Sequence, residues 1–411
     1  MKRFLIAAIL IFTAFSMFAQ IYKDASQPVE IRVNNLLSLM TPEEKFWQLF
    51  MIPGDIGADS SLYKTGIFGF QVSTDGQNAN AAGQMLNYNQ GNTAYETAIK
   101  INEMQKFFIE ESRFGIPIIP FDEALHGLVR KGATAFPQAI GLAATWNKVL
   151  VNEVAGAIAE ESGSRGIRQI LSPVVNVATD VRWGRTEETY GEDPFLVSEM
   201  GVAFVSAFES RGIITTPKHF VANVGDGGRD SYPVQYNERF LSEIILPPFQ
   251  ACIEKGGSRS VMTSYNSYDG TPCTANNWLL NTILKKEWGF KGFVISDAGA
   301  TGGANVLHFT ASNYADATAK SINGGLDVIF QTNYEHYKLF SPPFYDGRIN
   351  TKTIDEAVAR VLRLKFELGL FENPYVDANL AAGLNGNQKN KDLAAFYGRV
   401  FVTALLFGFC G

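Results

Sequence analysis

The sequence predicts an α/β protein, a TIM-like (β/α)8 barrel, over most of its 411 residues. Short apolar runs alternate with amphipathic helical segments over roughly 330 residues, which is typical of parallel α/β architecture. Several of these runs end in charged or hydroxyl side chains. The length suits one barrel better than a doubly wound sheet, and no glycine-rich dinucleotide loop follows a strand in the right context.

The elements follow in order. Thr41 is the predicted cap of the first helix, with Pro42 at its first position and Glu44 at its third. Further helices are predicted over 196–209, 241–254, 278–287, 315–323 and 354–368, and strands over 166–171 and 325–330. Residues 372–390 are rich in Asn, Gly, Pro and Asp, which favours a linker. A helix is expected to begin again at Asp392.

Four predicted strands deliver polar residues at their ends. The run 292–296 leads into Asp297, and the run 116–121 leads into Asp122 and Glu123. In the same way, 212–217 leads into Lys218 and His219, and 260–262 leads towards Tyr265 and Asn266. One such carboxylate is usually a helix cap. Together they predict one pocket at the carboxyl ends of the strands, because adjacent Lys and His are costly to bury without partners.

Composition narrows the function. Net charge is −6 and no basic stripe occurs, which argues against a nucleic-acid partner. Lys2 and Arg3 precede a short apolar run, so residues 1–19 are predicted to be a signal peptide, with a periplasmic or secreted product and no membrane partner after its removal. An ordinary N-terminal helix is the alternative.

Three cysteines and four histidines show no metal-binding spacing, so we expect neither a metal site nor a cofactor.

The segment 180–194, DVRWGRTEETYGEDP, combines two Arg, five acidic residues and a Trp. A solvated loop is the simpler interpretation. A guanidinium beside an aromatic face also suits a hydroxylated ring.

At this point the chain resembles glycoside hydrolase family 3 of the β-glucosidase and β-xylosidase type. Seven motifs in order carry the resemblance: EALHG at 123–127, FPQAIGLAATWN at 136–147, RWGR…GEDP at 182–194, KHF at 218–220, VMTSYN at 261–266, EWGFKGFVISD at 287–297 and RVLRLKFELGLFENP at 360–374. It implies an N-terminal barrel domain over 28–375, followed by a linker and an atypical tail over 376–411.

The resemblance implies a retaining exo-glycosidase that removes terminal non-reducing β-D-glucosyl or β-D-xylosyl residues from an oligosaccharide or glycoside. Asp297 corresponds to the nucleophile that forms the glycosyl-enzyme. The family's sugar-binding residues fall on Glu123, Arg185, Lys218, His219, Arg229, Met262 and Tyr265. The oligomeric state is left open.

Three departures from the family matter. Glu123 stands where many members have Asp, which favours pentosides, and Ala298 stands where many glucosidases have Trp, which opens the leaving-group side. The third departure concerns the general acid/base, which two-domain members take from a later domain that is only begun here. Single-domain relatives use an Asp-His pair, but Tyr232 replaces that His. Glu187, Glu188 and Asp226 are candidates only by proximity, so a catalytically impaired sugar-binding remnant is the alternative function.

Overall fold

The computed structural model describes residues 20–72 and 91–407, and their side chains as far as residue 400. The signal peptide predicted over residues 1–19 lies outside the described residues. Nine strands occur in the described part. They are β1 (Phe50–Pro53), β2 (Gly69–Gln71), β3 (Phe121–Asp122), β4 (Gln169–Ile170), β5 (Ser260–Met262), β6 (Ser267–Tyr268), β7 (Thr271–Pro272), β8 (Phe293–Ile295) and β9 (Ile329–Phe330).

Seven of these strands and the extended segment 213–220 close into a parallel ring of eight. Five of them form one sheet in the order β4-β3-β2-β1-β9, and β5 pairs with β8. The segment 213–220 occupies the place between β4 and β5. Three isolated parallel bridges complete the ring: Gln169 with Ile214, Phe220 with Thr263, and Ile295 with Val328. The predicted TIM-like barrel is therefore confirmed, and its strand order is sequential.

The helices surround this ring, and most begin at a side-chain cap. The predicted capping box is present, since the Thr41 hydroxyl accepts from the Glu44 N–H at 3.2 Å. The α-helices are Val29–Leu39, Pro42–Gln48, Ala94–Glu111, Ala139–Ala143, Lys148–Ser164, Pro194–Glu209, Glu238–Phe240, Pro247–Glu254, Ala300–Val306, Tyr314–Asn323, Tyr337–Phe340, Thr351–Glu367, Ala378–Leu384 and Gln388–Phe407. The segments Leu241–Ile245 and Trp278–Glu287, predicted as ordinary helix, are π-helical.

The first crossover is irregular. Between β1 and β2 the chain forms only the 3₁₀ turn Ser60–Tyr63, where a regular barrel has a helix. A two-residue antiparallel hairpin, β6-β7, projects from the loop after β5. Its turn residues Asp269 and Gly270 both have positive φ, as the tight hairpin turn requires.

Aromatic side chains fill the inside of the ring. Phe68, Phe121, Phe293 and Phe330 are all buried. The rings of Phe121 on β3 and Phe330 on β9 meet edge to face at 5.4 Å, although these two strands are not neighbours. Phe68 meets Phe293 on β8 at the same distance. The barrel is therefore a packed core, and only its ends can hold a ligand.

Gly292 lets β8 lie against β5. A Cβ at this position would lie 2.0 Å from the Arg259 carbonyl oxygen, which no side chain tolerates. Because β8 ends just before Asp297, this close approach helps to set the position of that carboxylate.

The predicted linker is in fact partly helical. Asp377 caps the helix Ala378–Leu384, and its alanines pack on Ala94 and Ala98 of the helix Ala94–Glu111. Small residues on both faces allow this close packing, which the Asn- and Gly-rich composition did not indicate. The following helix begins at Gln388, close to where one was predicted, and its backbone remains helical to Phe407. Among the described residues, no helix combines the length and apolarity needed to cross a membrane.

Glu161 links the segment after residue 384 to the barrel through hydrogen bonds. Its buried carboxylate accepts hydrogen bonds from the Thr134 N–H and hydroxyl at 2.8 and 2.7 Å. It also accepts from the Gly386 N–H at 3.0 Å and the Asn390 amide at 2.8 Å. One buried carboxylate thus satisfies donors from both sides of the contact.

We predict that Glu161→Ala lowers the free energy of unfolding by about 2–4 kcal/mol, because each buried donor left unpaired costs about 1–3 kcal/mol. Urea unfolding measures the change. Glu160→Ala is the matched control, since the neighbouring Glu160 is exposed and should change stability by less than about 0.5 kcal/mol. Equal effects of the two substitutions would contradict this role of Glu161.

Candidate functional site

Charged and hydroxyl side chains from four strand ends meet at the carboxyl end of the barrel. Glu123 follows β3, Tyr265 follows β5, and Asp297 follows β8. Lys218 and His219 lie in the segment 213–220 between β4 and β5. With Arg185, these side chains form what we call the rim cluster: Glu123, Arg185, Lys218, His219, Tyr265 and Asp297.

Asp297 is buried and held by one of its two oxygens. Its Oδ1 accepts from the Tyr265 hydroxyl at 3.0 Å and from the Ala298 N–H at 2.7 Å. Its Oδ2 lies 3.6 Å from Nε2 of His219. Burial raises the pKa of the Asp297 carboxyl, and the positive charges of Lys218 and Arg185 oppose that rise. Within the described residues, hydrogen bonds hold Oδ1, and Oδ2 faces His219.

Lys218 and Glu123 form a close ion pair. The ammonium donates to both carboxylate oxygens of Glu123, at 2.8 and 2.9 Å. The Lys218 side chain is 4% exposed, whereas that of Glu123 is 32% exposed. Burial raises the pKa of Glu123 and Lys218 lowers it again. Glu123 therefore remains partly accessible to a ligand, while the buried ammonium of Lys218 balances its charge.

His219 is a neutral imidazole. Burial, followed by the charges of Arg185 and Lys218, lowers its pKa well below the usual value. Asn176 fixes its tautomer: the Asn176 amide oxygen accepts from the His219 backbone N–H at 2.8 Å and lies 3.0 Å from Nδ1. Nδ1 must therefore carry the proton, and Nε2 is an acceptor that faces Asp297.

Arg185 is oriented by carboxylates in the segment 180–194 and beyond. It donates to both oxygens of Glu188 at 2.8 Å, and its guanidinium lies 3.9 Å from Asp230. Asp230 in turn accepts from the Trp183 indole at 3.0 Å. Glu188 and Trp183 therefore belong to an ordered hydrogen-bonded support for Arg185. The simpler interpretation as a solvated loop is wrong for Trp183, which is buried.

Tyr265 is a hydrogen-bond donor in this setting. Burial and the neighbouring Asp297 carboxylate both raise the pKa of its hydroxyl, so the proton stays on Tyr265. The hydroxyl also lies 3.1 Å from the Ala298 carbonyl oxygen.

Two predicted sugar-binding residues lie apart from these contacts. Met262 is buried on β5, where its backbone pairs with the segment 213–220. Arg229 is exposed, and its guanidinium lies over the Tyr232 ring at 5.0 Å. Among the candidate acids, Glu187 and Asp226 are exposed and Glu188 is engaged by Arg185. In the described part of the chain, none of the three is a hydrogen-bond partner of Asp297.

Two supporting residues escaped the sequence analysis. Asn176 follows the apolar run 173–175, the same pattern that singled out Asp297, so it could have been found. Asn223, which donates to Asp230 at 2.7 Å, has no such signal. Within the described ranges, no group of three or more His, Cys, Asp or Glu side chains could hold a metal ion.

The chain is similar to several known proteins. The model of the Glycosyl hydrolase family 3 N terminal domain matches residues 44–364. A β-xylosidase of Formosa agariphila is 36% identical over 66% of this chain and 41% of its own. The periplasmic β-glucosidase of Salmonella typhimurium is 32% identical over 84% of this chain and 43% of its own, so the chain spans less than half of these relatives.

Among solved structures, a β-glucosidase from Erythrobacter marinus superposes with a TM-score of 0.83. It is 31% identical, and the match covers 92% of this chain and 50% of that one.

We predict that Tyr265→Phe raises the pKa of Asp297 above its wild-type value, because the hydroxyl stabilises only the ionised carboxylate. Ionisation of Asp297 would then begin at higher pH. Carbon NMR titration of labelled Asp, assigned with Asp297→Asn, measures the shift. Tyr232→Phe serves as control, since its ring is exposed and it is not a partner of Asp297. An unchanged or lower pKa in Tyr265→Phe would show that the hydrogen bond does not act on Asp297.

Proposed function

The chain belongs to glycosyl hydrolase family 3, and from that premise we propose that it hydrolyses terminal non-reducing β-D-glucosyl or β-D-xylosyl residues with retention, through an aspartyl glycosyl-enzyme. The observation that carries the proposal is the state of Asp297: one oxygen is held by Tyr265 and a backbone N–H, and the other faces Nε2 of His219. A carboxylate held in this way is suited to attack the anomeric carbon.

In the first step Oδ2 of Asp297 forms a bond to the anomeric carbon while the bond to the leaving oxygen breaks. The leaving oxygen departs with a proton from an acid, or as an anion where it is stable enough. In the second step water attacks the same carbon, gives up a proton to a base, and releases the Asp297 carboxylate. Lys218 and Arg185 oppose the effect of burial on the pKa of Asp297 and so favour the ionised form that this attack requires.

The rim cluster offers both donors and acceptors to sugar hydroxyls. Lys218 and Arg185 donate, Glu123 accepts, and neutral His219 accepts through Nε2. A hydroxyl placed between His219 and Asp297 could donate to either. Because Lys218 is already paired with Glu123 and Arg185 with Glu188, a neutral ligand suits the cluster better than an ion.

The names of the relatives support both xylosides and glucosides as candidate substrates, since one relative is a β-xylosidase and the other a β-glucosidase. We also propose export to the periplasm or beyond, on the strength of the basic and apolar residues of the segment 1–19 and of the relative named as periplasmic.

We predict that Asp297→Ala lowers the turnover of aryl β-glycosides by roughly 10⁴–10⁶-fold, as is usual when a nucleophile is removed. A dinitrophenyl glycoside with fluorine beside the anomeric carbon should label a single wild-type peptide, the one that contains Asp297. Its leaving group needs little help from an acid. Asp269→Asn is the control, because this hairpin-turn position tolerates Asn. Labelling of another residue would rule out Asp297 as the nucleophile.

A further prediction concerns the choice of sugar. If the longer side chain of Glu123 crowds the C6 hydroxymethyl group, β-xylosides bind better than β-glucosides, and Glu123→Asp shifts preference towards glucose. One such group is worth about 1–3 kcal/mol, or roughly 10–200-fold in kcat/KM. Glu123→Gln, which keeps the length of the side chain, should not shift the preference towards β-glucosides. If the wild type prefers glucosides and Glu123→Asp leaves that preference unaltered, Glu123 does not set the choice of sugar.

A further inference from the structure

The loop that follows the helix Ala300–Val306 carries an unusually placed aromatic ring. Phe309 is 83% exposed, more than any other large hydrophobic side chain in the described part of the chain. Single exposed apolar residues are common on proteins and alone mean little. In this case a second observation accompanies the exposure.

Phe309 has a left-handed backbone, with φ of 53°. Glycine adopts this conformation without penalty, whereas a bulky side chain is a clear outlier there. The residue therefore buries little of its ring and is strained as well. Glycine would give a more stable fold at this position, because it has no exposed ring and adopts the positive φ without strain. Strained residues of this kind concentrate at ligand-binding sites.

The loop is tied to the rim cluster. Nε2 of His308 donates to the Tyr265 carbonyl oxygen at 2.7 Å, and the hydroxyl of Tyr265 donates to Asp297. Two backbone bonds to the Ala304 carbonyl, from Thr310 at 2.8 Å and Ala311 at 3.0 Å, close the turn around Phe309. The ring is thus held on an ordered turn one residue from a direct link to Tyr265.

The chain between Asp297 and this loop has no other aromatic side chain. Residues 298–304 are Ala, Gly, Ala, Thr, Gly, Gly and Ala. Ala298 and Gly299, which follow Asp297 directly, are small, and residues 298–304 supply no flat apolar surface for a second ring. Phe309 is the first Phe, Tyr or Trp after Asp297.

We propose that Phe309 is the stacking platform for the leaving group, whether a sugar ring or an aryl group, on the side of Asp297 opened by Ala298. The inference rests on the proposed glycosidase function and names one of its specificity-determining residues. An aromatic face attracts the C–H face of a sugar and the ring of an aryl group. A ligand stacked on the ring would offset the free-energy cost of exposure and strain in the free protein.

The experiment measures the affinity of the full chain for phenyl thio-β-glucoside, which resists hydrolysis, and for glucose, which has no leaving group. Phe309→Ala and Phe309→Gly should each weaken thioglycoside binding by about 3–10-fold, the size of an aromatic contact. Affinity for glucose should stay unchanged. Val306→Ala is the matched control: it truncates another exposed apolar side chain of the same region, 56% exposed, and should alter neither affinity.

Stability gives an independent readout. Phe309→Gly should unfold at higher urea concentration than Phe309→Ala, because only glycine accepts the positive φ without strain. Equal loss of thioglycoside and glucose affinity, or loss of neither, would overturn the platform. So would a change of oligomeric state shared by Val306→Ala and Phe309→Ala without any change in affinity, since a polypeptide would then cover the loop.

Labelling separates this inference from the function on which it rests. A fluorosugar whose leaving group is fluoride has no ring to stack, so it should label Asp297 at the same rate in wild type and Phe309→Ala. If the wild-type protein is not labelled, the proposal that Asp297 is the nucleophile is wrong. The contrast between thioglycoside and glucose still decides whether Phe309 is a platform.

Discussion

The buried ammonium of Lys218 is the charge on which the rim cluster depends. It satisfies both oxygens of Glu123 and opposes the rise that burial causes in the pKa of Asp297. After burial and Arg185, it also contributes to the lowered pKa of His219. Without it, two carboxylates would share a desolvated site with a single guanidinium. Breaking a buried ion pair typically costs about 3–5 kcal/mol, so the remaining groups would change protonation or position. Lys218 therefore favours the ionised form of Asp297, whereas the neutral state of His219 comes first from its burial.

Closure of the barrel is what allows these charges to meet. Glu123 and Lys218 come from strands separated by β4, and His219 and Asp297 from strands separated by β5. Neighbouring strands lie about 4.8 Å apart, so a flat sheet would hold such pairs roughly 10 Å from each other at the backbone. The curvature of an eight-stranded ring turns the strand ends inwards. The packed phenylalanines beneath confine ligands to that end.

The sequence predicted the parts that local patterns encode. Apolar runs ending in Asp297, Glu123 and Lys218 located three strand ends of the site, and the Thr41 capping box located a helix start. The docked helix Ala378–Leu384 was missed because its stability comes from distant alanines and from Glu161, which no local pattern records. Phe309 was missed for a different reason. Neither its backbone angle nor its exposure can be inferred from residue types, and a Phe in a loop is ordinarily expected to be buried.

The two sides of Asp297 differ in construction. On the side of Glu123, Lys218 and His219, buried polar groups with fixed partners surround the space, and a mismatched ligand would leave them unsatisfied, which is costly. On the other side, Ala298 and the glycines beyond it impose few hydrogen-bonding demands, and an exposed ring selects for flatness more than for hydroxyl pattern. On the proposed function, such a site would discriminate strongly among the sugars it holds and weakly among the groups it releases, because unpaired buried polar atoms penalise a wrong ligand more than lost apolar contact does.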